Sequence, residues 1–286
     1  MITILTIAGS DSSGGAGIQA DIKTIHRLGA HALCAVTAVT TQGSRGLSSV
    51  HPVPPGEISR QIEVAVADAF PGAVKIGMLK SPGAVKTVAS LIERFRLSNV
   101  VLDPVITATA GGRLLDVEAL ETFLSELVPR ADVVTPNIEE ASLLSGRPVQ
   151  TLEEAEEAAR SLKSLGPDVV VTGGHFPDQC VDLLFDGKGV HRFPGSRLQT
   201  TFTHGSGCVF SSALATCLGM GADLHGAVAR ARETTREALR LGYACGSAPG
   251  VVNPLGGCVR GGATDDADIA KQGTPVDQTG LRNGES

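Results

Sequence analysis

Four short stretches of the chain, three of them containing glycines, set polar or ionisable side chains in patterns that could do chemistry. The first is Gly9-Ser10-Asp11-Ser12-Ser13-Gly14-Gly15-Ala16-Gly17, between an apolar run and a helical pattern. Glycines there let backbone amides approach a ligand closely, and a helix N-terminus favours an electron-rich group. The stretch lacks the Gly-Lys-Ser/Thr ending of a P-loop. Gly15 to Ala20 fits a degenerate dinucleotide fingerprint, but it stands six residues beyond the strand end at Ala8. The second strand also ends in Thr40, Thr41 and Gln42, with no acid to hold a ribose. A plain glycine-rich connection explains the stretch equally well.

The second stretch is Thr203-His204-Gly205-Ser206-Gly207-Cys208, which opens a small-residue helical segment. Successive amides at Gly205, Ser206 and Gly207 would form an anion hole suited to a transferred phosphoryl group. The positive helix end is expected to lower the pKa of Cys208 and make its thiolate available as a base. A structural cysteine in the first turn is the plainer alternative, and a Cys/His hydrolase pair with His204 a further one.

In the third, Thr135-Pro136-Asn137-Ile138-Glu139-Glu140-Ala141, Asn137 can cap a helix and Glu140 can complete a capping box. Alternatively Glu140 and Asp103, each at or just past a strand end, hold Mg²⁺ together with phosphates and waters. Both readings stay open. The fourth, Thr172-Gly173-Gly174-His175, lines a nucleotide or simply turns the chain. His175 and His204 have no partner at metal spacing, so no zinc site is expected.

These stretches need a scaffold. The chain has 286 residues, 42% hydrophobic and 19% charged, which excludes disorder throughout. A net charge of −6 without a basic patch argues against nucleic acid or an anionic membrane as the main partner. No basic segment precedes the apolar run Ile2–Ala8, as a signal peptide would require, and no run approaches the ~18 apolar residues of a spanning helix. Six cysteines without CxxC spacing suggest reduced thiols in a cytoplasm.

Strand and helix patterns alternate, the signature of a mostly parallel sheet covered by helices. Strands are expected at Ile2–Ala8, Ala32–Thr40, Val74–Met78, Asn99–Asp103, Asp132–Thr135 and Asp168–Thr172, and a hairpin over Val181–Phe185 and Val190–Phe193. Helices are expected at Ala16–Leu28, Glu57–Asp68, after Ser81-Pro82, after Pro136, after the Thr151–Glu154 capping box, from Gly205, and along the Leu224–Leu239 stripe. The stretch between Thr40 and Glu57 reads as a Gly/Ser/Pro loop. No repeat is present, and the expected organisation is one α/β domain over residues 1–255 with a loose glycine-rich tail over 256–286.

In this order the motifs resemble the hydroxymethylpyrimidine/phosphomethylpyrimidine kinases of thiamine biosynthesis, within the ribokinase-like family. The matching stretches are Leu5–Asp21, Lys75–Leu79, Leu102–Val105, Thr135–Ala141, Gly173–His175 and Thr203–Cys208, spread over about residues 2–250. The resemblance implies a ribokinase-like α/β fold, with helices on both faces of a central, mostly parallel sheet. It implies ATP-dependent phosphorylation of the hydroxymethyl group of an aminopyrimidine, with ATP and Mg²⁺. Cys208 would be the base, and Gly205, Ser206 and Gly207 the anion hole. Gly9, Asp21, Gln42, Met78 and Val105 would line the pyrimidine pocket, Asp21 and Gln42 reading the ring edge. Asn137, Thr172, Gly173 and Gly174 would face the nucleotide, and Asp103 and Glu140 the metal.

A homodimer is the expected assembly. The chain departs from the family pattern at Thr109, Thr172 and Thr201, each standing where lysine is usual. Three positive charges are thereby removed, and the second phosphorylation that the family often performs is expected to be weak. A pyridoxine- or pyridoxal-type kinase and a non-catalytic pyrimidine- or nucleotide-binding regulator are the alternatives, a dinucleotide-dependent oxidoreductase a distant third.

Overall fold

A computed structural model describes residues 1–43, 46–107, 112–173, 180–246 and 250–256. They build one nine-stranded sheet in the order β3-β2-β1-β4-β5-β6-β7-β8-β9. The strands are β1 (Thr3–Asp11), β2 (His31–Gly43), β3 (Gly46–Pro52), β4 (Ala73–Ile76), β5 (Val100–Leu102), β6 (Val133–Val134), β7 (Asp168–Val171), β8 (Cys180–Phe185) and β9 (Val190–Gly195). Strands β2, β1, β4, β5, β6 and β7 run parallel, while β3 at one edge and β8 near the other run against them, and β9 pairs antiparallel with β8. The helices are α1 (Gly17–Arg27), α2 (Pro55–Asp68), α3 (Pro82–Phe95), α4 (Ala119–Thr122), α5 (Ile138–Ser145), α6 (Leu152–Lys163), α7 (Ser206–Gly219) and α8 (Leu224–Arg240).

Alternation along the strands assigns the helices to faces. Leu5, Ile7, Val74, Ile76, Val100, Leu102, Val134 and Val169 point to one side and pack on α2, α3, α5 and α6. Ile4, Ala73, Val101, Val133 and Val170 point to the other and pack on α1, α7 and α8. Every residue of α7 from Val209 to Cys217 is buried, so it runs as a central helix screened by its neighbours. By the same alternation Thr6 and Lys75 face α1 and α7, which places a lysine inside an apolar layer.

Most expected elements are present within a few residues. Ser81 caps α3 with Pro82 in its first turn, and both capping boxes form, Asn137 with Glu140 on α5 and Thr151 with Glu154 on α6. The expected loop after Thr40 is instead an extension of β2 paired with β3. Ser48, Ser49 and Pro52 read as turn residues in sequence, and only the partner strand makes them a ladder. A helical segment without a sequence-based expectation also appears, α4 running on through a π turn at Phe123–Leu127 and a 3₁₀ turn at Val128–Arg130. Apart from Gly256, the expected tail lies outside the described residues. No helix among the described residues is long and apolar enough to cross a membrane.

Candidate active site

Chain direction around the sheet reverses at β1, since β2 lies on one side of it and β4 on the other. Such a switch point opens a crevice at the carboxyl ends of the strands. There the ends of β1, β4, β5, β6 and β7, together with the start of α7, enclose a cavity of about 220 Å³.

Its floor is a buried charge network. Lys75 on β4 is wholly buried; its Nζ donates to Asp21 Oδ1 at 2.9 Å and Oδ2 at 3.0 Å, and stands 3.9 Å from Asp103 Oδ2. Asp21 on α1 also accepts from Thr6 Oγ1 at 2.6 Å and Ser212 Oγ at 2.7 Å. Asp103 accepts from Ser211 Oγ at 2.8 Å. Burial alone would discharge the Lys75 ammonium, but the attraction of Asp21 and Asp103 prevails and raises its pKa. Asp103 moves up instead, through burial and the neighbouring Asp21, despite Lys75 and Ser211. Asp21 was expected on the ring edge; it is 0% exposed, absent from the cavity wall, and committed to Thr6, Lys75 and Ser212. Its task is structural, and Lys75, the one charged residue of the strand Ala73–Ile76, was the sequence signal for it.

Gly9, Gln42, Met78 and Val105 line the cavity beside Thr40 and Leu114. The Gln42 backbone is tied both ways to Ser12: its amide donates to Ser12 Oγ at 2.9 Å, and that hydroxyl donates to the Gln42 carbonyl at 2.6 Å. Gln42 thus holds its place at the rim.

The opposite wall is the start of α7, where Gly205, Ser206, Gly207 and Cys208 all line the cavity. Gly205 is the N-cap, with φ +89°, and no side chain caps the helix. A Cβ on Gly205 would collide with the Gly15 carbonyl oxygen, so the left-handed turn and the close approach both require glycine. First-turn amides have no partner within a helix, yet the Ser206 amide already donates to the Thr203 carbonyl at 3.1 Å. The amides of Gly207 and Cys208 are the ones left to meet an anion.

Cys208 reverses the sequence expectation. Burial pushes its thiol up to about 12; Asp21 and Asp103 add to that rise, while Lys75 and the Gly17 amide, which donates to the sulfur, oppose it. The thiol is therefore protonated at neutral pH. His204 does not make a hydrolase pair with it either, because its Nε2 meets Asp11 Oδ2 at 2.9 Å. Burial favours a higher Asp11 pKa, but hydrogen bonds from His204, Ser13 and the Ala16 amide bring it down to about 2. Neither member of that pair was singled out beforehand as a cavity residue.

At the strand ends beyond β5, Asp103, Thr135, Asn137, Glu140 and Thr172 complete the wall. Burial, then repulsion from Asp103, raises the Glu140 carboxyl to about 8, against amide hydrogen bonds from Asn137 and Ile106. The capping-box reading of Glu140 holds, and its carboxyl also lines the cavity with Asp103. Gly173 is not on the wall, and its amide donates to Asp182 Oδ1 at 2.7 Å. Gly174, His175 and Thr109 lie outside the described residues, and Thr201 is exposed.

Among solved structures, the architecture is that of the ribokinase-like kinases. The Staphylococcus aureus pyridoxal kinase, solved with AMP-PCP and pyridoxal, matches with a TM-score of 0.82 and 32% identity over 89% of this chain and 94% of that one. The chain belongs to the phosphomethylpyrimidine kinase family, whose model matches residues 11–253, and it is an ATP-dependent kinase. The hydroxymethylpyrimidine/phosphomethylpyrimidine kinase of Bacillus subtilis is 39% identical over 252 residues, 87% of this chain and 93% of the relative. The thiamine biosynthesis bifunctional protein ThiED of Geobacter sulfurreducens is 43% identical over 255 residues, 88% of this chain, which spans only 52% of that longer protein.

Two outcomes are expected from this geometry. Lys75→Met leaves Asp21 buried without its cation and should cost about 3–5 kcal/mol in denaturant unfolding, part of it recovered when Asp21→Asn is added. Cys208 should be alkylated by iodoacetamide at pH 7.5 at least ~10-fold more slowly than the exposed Cys245, read by peptide mass mapping. Equal rates would mean that the thiol is not held protonated.

Proposed function

We propose that the chain transfers the terminal phosphoryl group of ATP to the hydroxymethyl group of 4-amino-5-hydroxymethyl-2-methylpyrimidine. The observation that carries this reading is one small cavity joining a ring slot at Gly9, Gln42, Met78 and Val105 to the uncapped helix start beside Cys208. Met78 and Val105 pack on the ring faces, and the Gln42 amide offers both a donor and an acceptor to the ring edge. The hydroxymethyl group then points at Cys208. The nucleotide lies along the ends of β5, β6 and β7, against Asn137 and Thr172.

Asp103 and Glu140 are suited to hold Mg²⁺, because two mutually repelling carboxylates at the mouth of the phosphate path gain most from a divalent cation. That ion would supply neutralisation of phosphate charge. The new bond forms between the hydroxyl oxygen and the γ-phosphorus while the bond to the ADP oxygen breaks. In a loose transition state the hydroxyl proton need not leave early, so a protonated Cys208 orients the hydroxyl, and the proton passes late to an oxygen of the transferred phosphoryl group and from there to solvent. The Gly207 and Cys208 amides meet charge on the moving phosphoryl oxygens.

Lys75 is the only lysine or arginine on the cavity wall among the described residues, and it is committed to Asp21. With threonine at positions 109, 172 and 201, a neutral alcohol is the preferred acceptor over its monophosphate. The likeness to a pyridoxal kinase supports pyridoxine or pyridoxal as a second acceptor. A cytoplasmic homodimer is the state in which we expect it to work.

Coupled ADP release with Mg·ATP separates these readings. Turnover on the free pyrimidine is expected to exceed that on the monophosphate by at least ~10-fold, the scale of one lost charged contact. Comparable diphosphate formation overturns the preference; fast turnover on pyridoxine alone transfers the assignment to that ring; silence on all three removes the reaction. A second check uses the metal-free protein. Because Glu140 is raised from 4.5 to about 8, wild-type stability should fall as pH rises between those values. Glu140→Gln keeps the cap acceptor but not the charge. Its melting temperature in EDTA should match wild type below pH 4.5 and exceed it at pH 8 by on the order of 10 °C, because a rise from 4.5 to about 8 corresponds to ~5 kcal/mol.

A further inference from the structure

Outside the groups already given a role, one constellation joins the two ends of the cavity. The loop after β1 is coiled around a single carboxylate. Asp11 Oδ1 accepts from the Ser13 amide at 2.9 Å, and Oδ2 from the Ala16 amide at 2.8 Å, the Gly15 amide at 3.2 Å and Ser13 Oγ at 2.7 Å. The same Oδ2 meets His204 Nε2, which is also 3.4 Å from Ser13 Oγ. His204 immediately precedes the N-cap of α7, and its carbonyl accepts from the Val252 amide at 3.2 Å. Gly15 packs flat on this histidine, where a Cβ would stand 2.6 Å from His204 Cδ2. The coil ends at Gly17, whose amide reaches the Cys208 sulfur.

We infer that Asp11 and His204 are a positioning pair, fixing the α7 helix start and the Cys208 thiol against the glycine loop so that acceptor hydroxyl and phosphoryl group meet in line. This rests on the phosphotransfer reading above but assigns residues that reading does not use. The pair bridges the end of β1, which carries Gly9, and the turn that carries the helix amides. With 17% and 4% of their side chains exposed, these two groups are well shielded from solvent competition. A slackened contact lets the two walls part, and misplacement of about 1 Å in such geometry can cost 10²-fold in rate.

The test is a series of four variants. His204→Ala should lower kcat by ~10–100-fold, with KM for the ring alcohol and for ATP within about threefold of wild type, the signature of an interaction realised at the transition state. Asp11→Asn should show the same split, and the double variant should lose little more than either alone, because the two side chains act as one unit. His204→Gln, which returns an amide donor to the same place, should recover kcat to within ~5-fold of wild type. The alkylation rate of Cys208 supplies a readout independent of turnover. It should rise at least ~5-fold in His204→Ala and stay at the wild-type value in His204→Gln.

Wild-type kcat in a folded His204→Ala, a parallel rise in KM, or no recovery in a folded His204→Gln overturns the inference. If wild type phosphorylates none of the alcohols, the proposed reaction fails, and the alkylation rates still decide whether the pair holds the thiol.

Discussion

One buried ammonium holds the centre of this molecule together. Lys75 sits among apolar side chains on a strand flanked by strands, where an unpaired charge would be too costly to keep. It is kept because α1 brings Asp21 to it, the end of β5 brings Asp103, β1 supplies Thr6 and α7 supplies Ser211 and Ser212. Five elements, β4 included, are thereby tied into one network, with Asp21 and Asp103 as its links to the lysine. A hydrophobic contact tolerates sliding; this set of short directional contacts does not. The network thus fixes α1 and α7 at one height on the sheet, which in turn fixes the glycine loop preceding one and the helix start opening the other.

The same network sets the chemistry above it. One cation faces two carboxylates, so the interior carries surplus negative charge, and each ionisable group nearby feels it. Burial first, and the neighbouring carboxylates second, push Asp103, Glu140 and the Cys208 thiol towards protonation. A cysteine at a helix N-terminus is ordinarily expected to ionise easily. Here the helix end is outweighed by burial and by the Asp21 and Asp103 carboxylates. The start of α7 gains a neutral, weakly hydrogen-bonding group, which in the proposed reaction would orient the acceptor hydroxyl without competing for a cation.

Local signals were legible in the sequence; signals that depend on a partner were not. Both capping boxes and the Ser81-Pro82 start depend on three or four neighbouring residues, and they stand as expected. The β3 strand depends on β2, and nothing in Gly46–Pro52 itself demands it. The segment from Ala119 is different, because Leu120, Phe123, Leu124 and Leu127 do recur on one helical face, and that pattern was available to be read. In the site, motif order brought the right strands together, and Gly9, Gln42, Met78, Val105, Asp103 and Glu140 share one cavity. Asp21 went astray because a carboxylate in a motif reads equally well as ligand or as counter-ion. Only the alternation that turns Lys75 inward decides between them. The Asp11–His204 contact spans 193 positions, beyond any local pattern.

A cavity wall bearing three carboxylates and one committed lysine is an unusual place for a polyphosphate. Side-chain cations are one way to hold phosphate; backbone amides and a helix end are another, and they carry no charge that an absent ligand would leave unbalanced. In the proposed reaction that choice has a consequence. Amides and a carboxylate-bound cation act only where they point, along the line from Asp103 and Glu140 to the start of α7, whereas lysines on flexible stems would reach further around the acceptor. Affinity for phosphate is then concentrated on the group being transferred and withheld from the acceptor side. Discrimination between a ring alcohol and its phosphate follows from where the positive potential lies, with no steric barrier required.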